Sequence, residues 1–327
     1  MLNARRPAAP FASRAAACNK QRMEQESTKP AAPKPTFMIG QAEIVARPLA
    51  PALYLVATPI GNLADITIRA LETLAGADLV ACEDTRVTRV LLDRYAIRQR
   101  PTPYHEHNAD EAGPRLIAAL AEGKSVALVS DAGTPLVSDP GYRLVERSLA
   151  AGIKVVPIPG ASAVLAALTA SGLPSDTFLF AGFLPAKAGQ RRTRLDELKA
   201  VPASLIFFES PHRLAESLAA MADTLGGERH AVVARELTKA FEEIRRGTLA
   251  DLATLYSAAA APKGEIVIAI GPAVAEPVAA KDVDRLLAAL AAEMPASKAA
   301  AEAACLTGLA KPELYRRLLD LKAAADE

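Results

Sequence analysis

Short apolar segments alternate with segments of helical periodicity from Leu53 onward, and this alternation limits the chain to a small set of folds. The apolar segments favour β-strands over residues 53–57, 79–82, 125–129 and 154–158. Between them, apolar residues recur at helical spacing over 66–74, 86–92, 112–120 and 142–149. Strands that alternate with helices are typical of βα units around a largely parallel sheet. We therefore predict a first α/β lobe over residues 52–170.

A second lobe is predicted after the helical segment 161–170 and the turn residues Gly172 to Pro174. Its strands are expected over 178–183, 204–208, 231–234 and 265–270. These elements predict a second α/β lobe over residues 171–275. The chain then becomes rich in Ala and Leu, which predicts helices centred on Leu286, Ala300 and Leu318 and a helical cap over 281–327.

The first 51 residues differ in composition from the rest of the chain. They are rich in Ala, Pro and Arg, and prolines interrupt any regular element. We predict a disordered tail over residues 1–51. Residues 1–23 contain no acidic side chain, as in an organellar transit peptide, while Met23 as the true initiator is the alternative reading.

Charge argues against general affinity for nucleic acid. The net charge is +1, and residues 1–50 hold eight Lys and Arg against three Asp and Glu, which leaves 30 basic and 34 acidic side chains elsewhere. A protein that binds nucleic acid mainly by neutralising phosphates shows a basic excess. Any RNA contact must therefore come from local basic patches.

The sequence contains no apolar run long enough to cross a bilayer and no secretory signal at its start. We expect a cytoplasmic protein without membrane contact. Cys18, Cys82 and Cys305 are too far apart for a zinc knuckle or a redox pair, and we expect them to be reduced.

The loop after the first predicted strand reads Thr58-Pro59-Ile60-Gly61-Asn62. In open α/β sheets, ligands bind beyond the carboxyl ends of the strands. Gly61 would let the backbone approach a ligand closely, and Asp65 is placed to cap the following helix. An ordinary βα turn explains the same residues equally well.

The loop after the strand 125–129 runs from Ser130 to Gly141 and reads SDAGTPLVSDPG. Its turn formers and short polar side chains would expose several backbone N–H and C=O groups to a small polar ligand. Two tight turns explain its glycines and prolines but not its aspartates and serines. A third loop, 157–162, opens a helix whose N–H groups suit a carboxylate or a ribose hydroxyl, unless Ser162 is a simple N-cap.

Charged residues follow the strands of the second lobe, in segments 209–213, 235–239 and 263–265. Each segment alone is compatible with a solvated strand end. The first strand is not followed by a GxGxxG sequence, which argues against a Rossmann dehydrogenase. His105-Glu106-His107 has a spacing that metals can use, but no third ligand is evident, so we predict no metal site.

Taken in order, these segments resemble the tetrapyrrole methylase superfamily, and within it the branch that methylates ribosomal RNA. The resemblance runs from about Leu53 to the C-terminus. It is carried by Thr58 to Leu63, Cys82 to Arg86, Tyr104 to Asn108, Ser130 to Gly141, Gly182 to Pro185, Glu209 to Arg213 and Ala234 to Lys239. Tetrapyrrole-modifying members have a glycine-rich start followed by Gly-Asp-Pro, whereas this chain has Thr58 to Asn62 and then Ser130 to Pro135. These departures favour the RNA branch.

The resemblance implies a two-lobed tetrapyrrole methylase-like α/β fold, a class III methyltransferase fold, with a C-terminal helical cap and S-adenosylmethionine bound in a cleft between the lobes. It also implies 2′-O-methylation of a cytidine ribose in the decoding centre of 16S rRNA, within the small ribosomal subunit, by a homodimer. The cofactor contacts that it implies are Pro59, Gly61, Ser130, Asp131, Ala132, Gly133, Thr134, Pro135, Gly160, Ser162, Phe208, Glu209 and Leu237.

Methylation of a ribose hydroxyl needs help with the proton, because this hydroxyl is too weak an acid to ionise near neutrality. We predict Glu236 as the general base and Lys239 or Arg213 as a cation that stabilises the developing alkoxide. The alternative is that Arg235 and Glu236 only pair with neighbouring charges.

Two groups of basic residues are predicted to bind RNA. A solvated helix face is the alternative for the first group and a simple capping bundle for the second, although the cap resembles a helix-turn-helix. The basic groups are Lys187, Arg191, Arg192 and Arg194 in the second lobe, and Lys311, Arg316 and Arg317 in the cap.

Two rival functions remain for the whole protein. One is C-methylation of a tetrapyrrole precursor, and the other is a ribosome assembly factor without catalysis.

Overall fold

A computed structural model describes residues 34–138, 141–273 and 280–325. Most of the predicted tail, Cys18, and Asp139 with Pro140 of the second loop lie outside the described residues. The chain divides into two compact units, unit 1 over residues 1–163 and unit 2 over residues 164–327. The boundary between the units lies at the start of the helix Ala163–Ser171, whereas the predicted lobe boundary at residue 170 lies at the end of this helix.

Unit 1 contains a β-hairpin where the sequence analysis expected a disordered tail. Strand β1 (Thr36–Ile39) pairs antiparallel with β2 (Ala42–Val45), and Gly40 between them has a φ of +61°. The Phe37 side chain is 1% exposed and packs into the apolar core of unit 1. The disorder prediction is therefore wrong for this segment. A hairpin alone is marginal in water, but this one gains stability from burying Phe37 against a formed core.

The central sheet of unit 1 has five strands, and every pairing in it is parallel. Its spatial order is β5-β4-β6-β3-β7. Prolines occur in both edge strands, where a missing N–H does not interrupt the ladder. The four predicted strands are confirmed, and only the short proline-bounded β5 was missed. The strands are β3 (Leu53–Val56), β4 (Leu79–Cys82), β5 (Pro101–Pro103), β6 (Val126–Val129) and β7 (Val155–Ile158).

Both faces of this sheet are buried. Successive side chains of a strand point to opposite faces, and here Val126 and Leu128 join one apolar cluster while Ala127 and Val129 join the other. Burial on both faces explains why the strands are continuous apolar runs rather than alternating ones. Polar side chains that could bind a ligand in unit 1 are therefore expected at the ends of the strands and in the loops that follow them.

Helices follow the strands of unit 1. The cap of the first helix is Thr67, whose side chain accepts a hydrogen bond from the Ala70 N–H, and not Asp65 as predicted. Asp65 instead belongs to the 3-10 turn Leu63–Asp65, which ends before the helix begins. The helices are α1 (Ile68–Gly76), α2 (Thr85–Arg94), α3 (Ala109–Ala121), α4 (Tyr142–Ala150) and α5 (Ala163–Ser171), the last starting at the unit boundary.

Unit 2 contains a mixed five-stranded sheet in the order β11-β10-β12-β9-β8. β8 and β9 are parallel, and the other pairings are antiparallel. The four predicted strands are confirmed, and the hairpin partner β11, which carries Glu243, Arg245 and Arg246 and only one large apolar residue, was missed. The strands are β8 (Phe178–Phe183), β9 (Ser204–Glu209), β10 (His230–Arg235), β11 (Glu243–Thr248) and β12 (Ile266–Ile270).

Three helices pack on one face of this sheet. Their apolar side chains form one cluster with Leu205 and Phe207 of β9 and Ile268 of β12. The helices are α6 (Ala188–Lys199), α7 (Leu214–Leu225) and α8 (Leu249–Ala258).

The last part of unit 2 is a bundle of three helices, α9 (Ala280–Glu293), α10 (Ala296–Thr307) and α11 (Lys311–Ala325). These are the three helices that the sequence analysis predicted. Small and branched side chains such as Ala300 and Leu318 form their core. Gly308 ends α10 in a left-handed conformation with a φ of +70°, which a glycine adopts at little cost. The result is a tight turn between α10 and α11.

Among the described residues, no helix is long and apolar enough to span a membrane. Cys82 is buried and Cys305 is exposed, and both are free thiols.

The hairpin yields a stability prediction. Phe37→Ala should lower the free energy of unfolding by about 3–5 kcal/mol, because it removes a buried ring and leaves a cavity. Ile39→Ala on the same hairpin is the control, and its partly exposed side chain should contribute less than about 1 kcal/mol. Urea unfolding followed by circular dichroism measures both. Equal small effects would show that the hairpin is not part of the folded unit.

Candidate active site

The loops after β3 and β6 are joined at the carboxyl edge of the unit 1 sheet. The Thr58 N–H donates to the Gly133 C=O at 2.9 Å, and the Gly133 N–H donates to the Thr58 C=O at 3.0 Å. The Thr58 hydroxyl also donates to the Ser130 C=O at 3.2 Å. Because β3 and β6 are neighbours and parallel, their loops leave the sheet at the same edge. The first two predicted ligand loops are thus in direct contact.

The loop after β7 meets the same pair of loops. The Thr134 hydroxyl donates to the Ala161 C=O at 3.3 Å. Glycines permit this close approach, since a Cβ on Gly160 would lie 3.0 Å from the Ala57 Cβ. Gly133 has a φ of +79°, which disfavours any other residue there. The structure therefore brings together the three loops that carry the ten cofactor residues predicted in unit 1. These residues are Pro59, Gly61, Ser130 to Pro135, Gly160 and Ser162.

Asp131 connects these loops to the loop after β4. Its Oδ1 atom accepts a hydrogen bond from the Asp84 N–H at 2.8 Å. Asp84 in turn caps α2 by accepting from the Arg86 N–H and pairs with the Arg86 guanidinium at 2.6 Å. The Arg86 hydrogen bonds lower the pKa of Asp84 to about 2. Asp84 and Arg86 were not among the predicted site residues, although both belong to a segment that carries the family resemblance.

The loop after β5 completes this edge of the sheet. The His105 N–H donates to Asn108 Oδ1 at 2.8 Å, and the Asn108 side chain donates to the Pro103 C=O at 2.9 Å. The rings of His105 and His107 lie 6.0 Å apart, edge to face. Within the residues that the structure describes, no three His, Cys, Asp or Glu side chains form a group that could hold a metal ion.

A second polar edge lies within unit 2, where β9 and β10 end on either side of the start of β12. Ile266 pairs with Glu209 on one side and with Arg235 on the other. The segments after these two strands, 210–213 and 236–239, therefore leave the sheet at one edge. This edge carries all three predicted catalytic side chains.

Glu236 and Lys239 form an ion pair that is fixed to the backbone. Glu236 Oε1 accepts from Lys239 Nζ at 2.8 Å and from the Glu265 N–H at 3.0 Å. Glu236 itself has a φ of +53°. A Cβ on Gly264 would lie only 2.4 Å from the Glu236 carboxyl carbon, so a glycine at 264 is what allows the Glu236 side chain to lie there.

The two charges of this pair stabilise each other. The hydrogen bond from Lys239 is the main reason why the pKa of Glu236 is lowered, and the Glu265 N–H acts in the same direction. Burial lowers the pKa of Lys239, but its bonds to Glu236 and Glu265 outweigh burial and leave that pKa raised. At neutral pH the pair is therefore a carboxylate and an ammonium.

Glu209 and Arg213 are occupied with holding the end of β9. The buried Glu209 carboxylate accepts from the Ser210 N–H and from the Ser217 hydroxyl. Arg213 Nη2 donates to the Leu184 C=O at 2.7 Å and to the Pro185 C=O at 3.1 Å. The predicted cation Arg213 thus fixes the segment after β8. Lys239 is the better placed of the two predicted cations, since it contacts Glu236.

The two apolar cofactor residues predicted in unit 2 lie near this edge. Phe208 packs edge to face against Phe180 and Phe183, with ring centres 4.8 Å and 5.6 Å away. Leu237 is buried and follows Glu236 directly.

Of the RNA-binding residues predicted in unit 2, some have exposed side chains and others are held by contacts within the protein. Lys187, Arg192 and Arg194 are exposed at the start of α6, where Arg194 also pairs with Glu197 at 2.8 Å. Arg191 is only 6% exposed and its Nη2 faces Glu216 at 3.3 Å, so it does not belong to this surface. Arg191 was predicted to bind RNA because helical periodicity alone does not show that its side chain faces α7.

The helical bundle shows the same division. Lys311 and Arg316 are exposed on α11. Arg317 donates to both carboxylate oxygens of Asp284, at 2.6 Å and 3.2 Å, and ties α11 to α9. The described geometry therefore gives Arg317 a structural contact, whereas the side chains of Lys311 and Arg316 are exposed.

Comparison with known proteins identifies the family. The family model for tetrapyrrole (corrin/porphyrin) methylases matches residues 52–253, and that for the RsmI C-terminal HTH domain matches residues 277–322. A protein of Mesorhizobium japonicum named ribosomal RNA small subunit methyltransferase I is 73% identical over 290 residues, which cover 89% of this chain and 99% of the relative. The chain belongs to the ribosomal RNA small subunit methyltransferase I family.

Further comparisons agree with this assignment. A family member of Pseudomonas aeruginosa is 51% identical over 272 residues, covering 82% of this chain and 96% of the relative. A solved cobalt precorrin-4 methyltransferase of cobalamin biosynthesis, 20% identical, superposes with a TM-score of 0.53 over 68% of this chain and 95% of its own. That likeness shows the fold alone. Family membership confirms the predicted fold class and the predicted methyltransferase activity, with S-adenosylmethionine as methyl donor.

The loops of unit 1 fit the chemistry of this cofactor. S-adenosylmethionine presents an ammonium, a carboxylate, a ribose diol and an adenine ring. The joined loops offer the Asp131 carboxylate, exposed backbone at Gly61 and Ala132, and the start of α5 directly after Ser162. A carboxylate suits the ammonium or the diol, and N–H groups at a helix start suit the methionine carboxylate.

The ion pair at the edge of unit 2 gives a prediction about titration. Lys239→Met removes the main cause of the lowered Glu236 pKa, so that pKa should rise towards the value of an ordinary glutamate. Carbon-detected NMR titration of the Glu236 side-chain carboxyl measures it. Lys124→Met is the matched control, since it removes an ion pair of the same 2.8 Å length from Glu122 and should leave Glu236 unchanged. An unshifted Glu236 in the Lys239 variant would contradict the assignment.

Proposed function

We propose that this protein transfers the methyl group of S-adenosylmethionine to the 2′-hydroxyl of a cytidine ribose in the decoding centre of 16S rRNA. The single observation that carries the proposal is the 73% identity, over 89% of the chain, to a protein named ribosomal RNA small subunit methyltransferase I. The proposed substrate is the RNA within the small ribosomal subunit. The enzyme is proposed to act in the cytoplasm as a homodimer, as the family resemblance implies.

The proposed cofactor site uses the joined loops of unit 1. S-adenosylmethionine supplies a methyl group that is already activated by its positively charged sulfur, so the protein mainly has to align the reactants. We assign the binding of its polar groups to Asp131, Thr134 and the backbone around Gly61, Gly133 and Ser162. From unit 2, the resemblance adds Phe208, Glu209 and Leu237 as contacts.

The proposed handling of the acceptor proton uses Glu236 and Lys239. Both hydrogen bonds to the Glu236 carboxylate end on Oε1, so Oε2 is the atom that would accept the ribose proton. The lowered pKa makes Glu236 a weaker base but keeps it ionised at neutral pH. The Lys239 ammonium, 2.8 Å from Glu236, would stabilise the negative charge that develops on the ribose oxygen.

The alternative is that Arg235 and Glu236 only form ion pairs with neighbouring charges, and for Arg235 the structure supports it. Arg235 Nε lies 3.2 Å from Glu243 Oε2, so Arg235 has a structural partner of its own. Glu236 pairs with Lys239 and not with Arg235 among the described residues. We therefore assign Arg235 to structure and Glu236 to proton transfer.

The function is tested by mapping 2′-O-methyl groups in 16S rRNA from a strain that lacks this protein and from the same strain after complementation. The proposal predicts one cytidine in the decoding centre that loses its methyl group and regains it. Methylation of a tetrapyrrole precursor by the purified protein, with an unchanged rRNA map, would support C-methylation instead. Failure to bind S-adenosylmethionine would support an assembly factor without catalysis.

Glu236→Gln tests the proposed base. It should slow methylation of small ribosomal subunits by roughly a hundredfold or more, the usual contribution of a general base, and leave cofactor affinity nearly unchanged. Turnover is followed with tritiated S-adenosylmethionine, and cofactor affinity by calorimetry. The control is Glu122→Gln, which breaks an ion pair of the same 2.8 Å length in unit 1. Unchanged turnover in Glu236→Gln would show that Glu236 has only a structural role, in its ion pair with Lys239.

The exposed basic surface of α6 gives a prediction about salt. The double variant Lys187→Ala with Arg192→Ala should weaken RNA binding and reduce the slope of log K against log salt by roughly one for each lost phosphate contact. Filter binding over a salt series measures the slope. Arg115→Ala with Lys124→Ala removes the same charge from the surface of unit 1 and serves as the control. Equal slopes in the two double variants would exclude a specific role for this surface.

A further inference from the structure

The turn between β10 and β11 carries an aromatic ring in an unusual place. Phe241 is 75% exposed, more than any other large apolar side chain among the described residues. It lies two positions after Lys239 and five after Glu236. A single exposed apolar side chain is common on protein surfaces. What distinguishes Phe241 is that it lies in the same turn as Glu236 and Lys239, the pair proposed to handle the acceptor proton.

The turn that carries Phe241 is held in one shape by its own hydrogen bonds. The Thr238 N–H donates to Glu242 Oε2 at 2.7 Å, and the Glu242 N–H donates to the Lys239 C=O at 3.1 Å. The flanking residues Arg235 and Glu243 are paired in the β10–β11 ladder. The turn therefore presents the ring from a rigid support, and little conformational entropy is lost when the ring binds.

We propose that Phe241 stacks on a base of the RNA next to the ribose that is methylated. This inference rests on the proposed function, and it adds a substrate contact that the family resemblance did not supply. A ribose within structured RNA reaches an enzyme only when its nucleotide is splayed from its neighbours. An aromatic ring beside the proton-transfer pair can take the place of a lost stacking neighbour, because every base has a π-face.

The surroundings of the ring favour RNA over a second copy of the protein. The turn residues Lys239 and Glu242 and the following Glu243 and Arg245 are charged. Charged residues are depleted from the buried centre of a protein interface, where a large apolar anchor is expected to lie. These charges are of both signs, and a base can stack on the ring without surrounding charges of one sign, because stacking uses the π-face that every base has.

The first test compares kinetics on small ribosomal subunits. Phe241→Ala should raise KM roughly five- to hundredfold, the range of one lost base–aromatic stack, while calorimetric affinity for S-adenosylmethionine stays unchanged. Phe241→Tyr should restore most of the affinity because it keeps the ring. Phe178→Ala is the control, since Phe178 is 40% exposed at the opposite end of the same sheet.

The second test detects the stack directly. The chain contains no tryptophan, so Phe241→Trp creates a single fluorescent reporter. Its emission should be quenched when protein-free 16S rRNA saturates the protein, whereas the emission of Phe178→Trp should not change. Unquenched emission at saturation, together with an unchanged KM for Phe241→Ala, would overturn the proposal.

The outcomes separate this inference from the proposed function. If the wild-type protein fails to methylate small subunits, the proposed function fails. If the wild type is active and Phe241→Ala is equally active, only the stacking role fails. A Phe241→Ala variant that loses dimers in light scattering but keeps its KM would assign the ring to a protein interface and also overturn the proposal.

Discussion

The proposed cofactor site depends most on the paired hydrogen bonds between the backbones of Thr58 and Gly133. They join two loops that are more than seventy residues apart in sequence. The strand order, in which β3 lies between β6 and β7, places both loops at one sheet edge, and Thr134 adds the third loop through Ala161. Parallel strands make this possible because all their carboxyl ends lie together. Without these hydrogen bonds, the loops that carry the predicted cofactor residues would not be held together.

Unit 2 uses a different device to fix its polar edge. Glu236 and Thr238 both have positive φ values, which are uncommon for residues with side chains. The Glu236 carboxylate offsets this strain by accepting from Lys239 and from the Glu265 backbone, across a glycine at 264. Strained residues held by a network occur often at functional sites. The same network that fixes the ion pair also fixes the turn that presents Phe241.

The sequence predicted most elements because periodicity reports burial along one strand or helix. It placed eight of the twelve strands that the structure describes and the three helices of the bundle, and the order of motifs pointed to the family. It did not predict the β1–β2 hairpin, whose stability comes from burying Phe37 in a core formed by distant residues. It also missed the Asp84 contact to Asp131 and the burial of Arg191 against Glu216. All three depend on which elements pack together, and no local pattern records that.

The proposed function requires that the joined loops of unit 1 bind the cofactor. A crystal structure of the complex with S-adenosylhomocysteine, the demethylated cofactor, tests it most directly. We expect Asp131, the backbone of Gly61 and Gly133, and the start of α5 at Ser162 to contact the bound molecule. A complex in which S-adenosylhomocysteine lies away from these three loops would rule out this cofactor site.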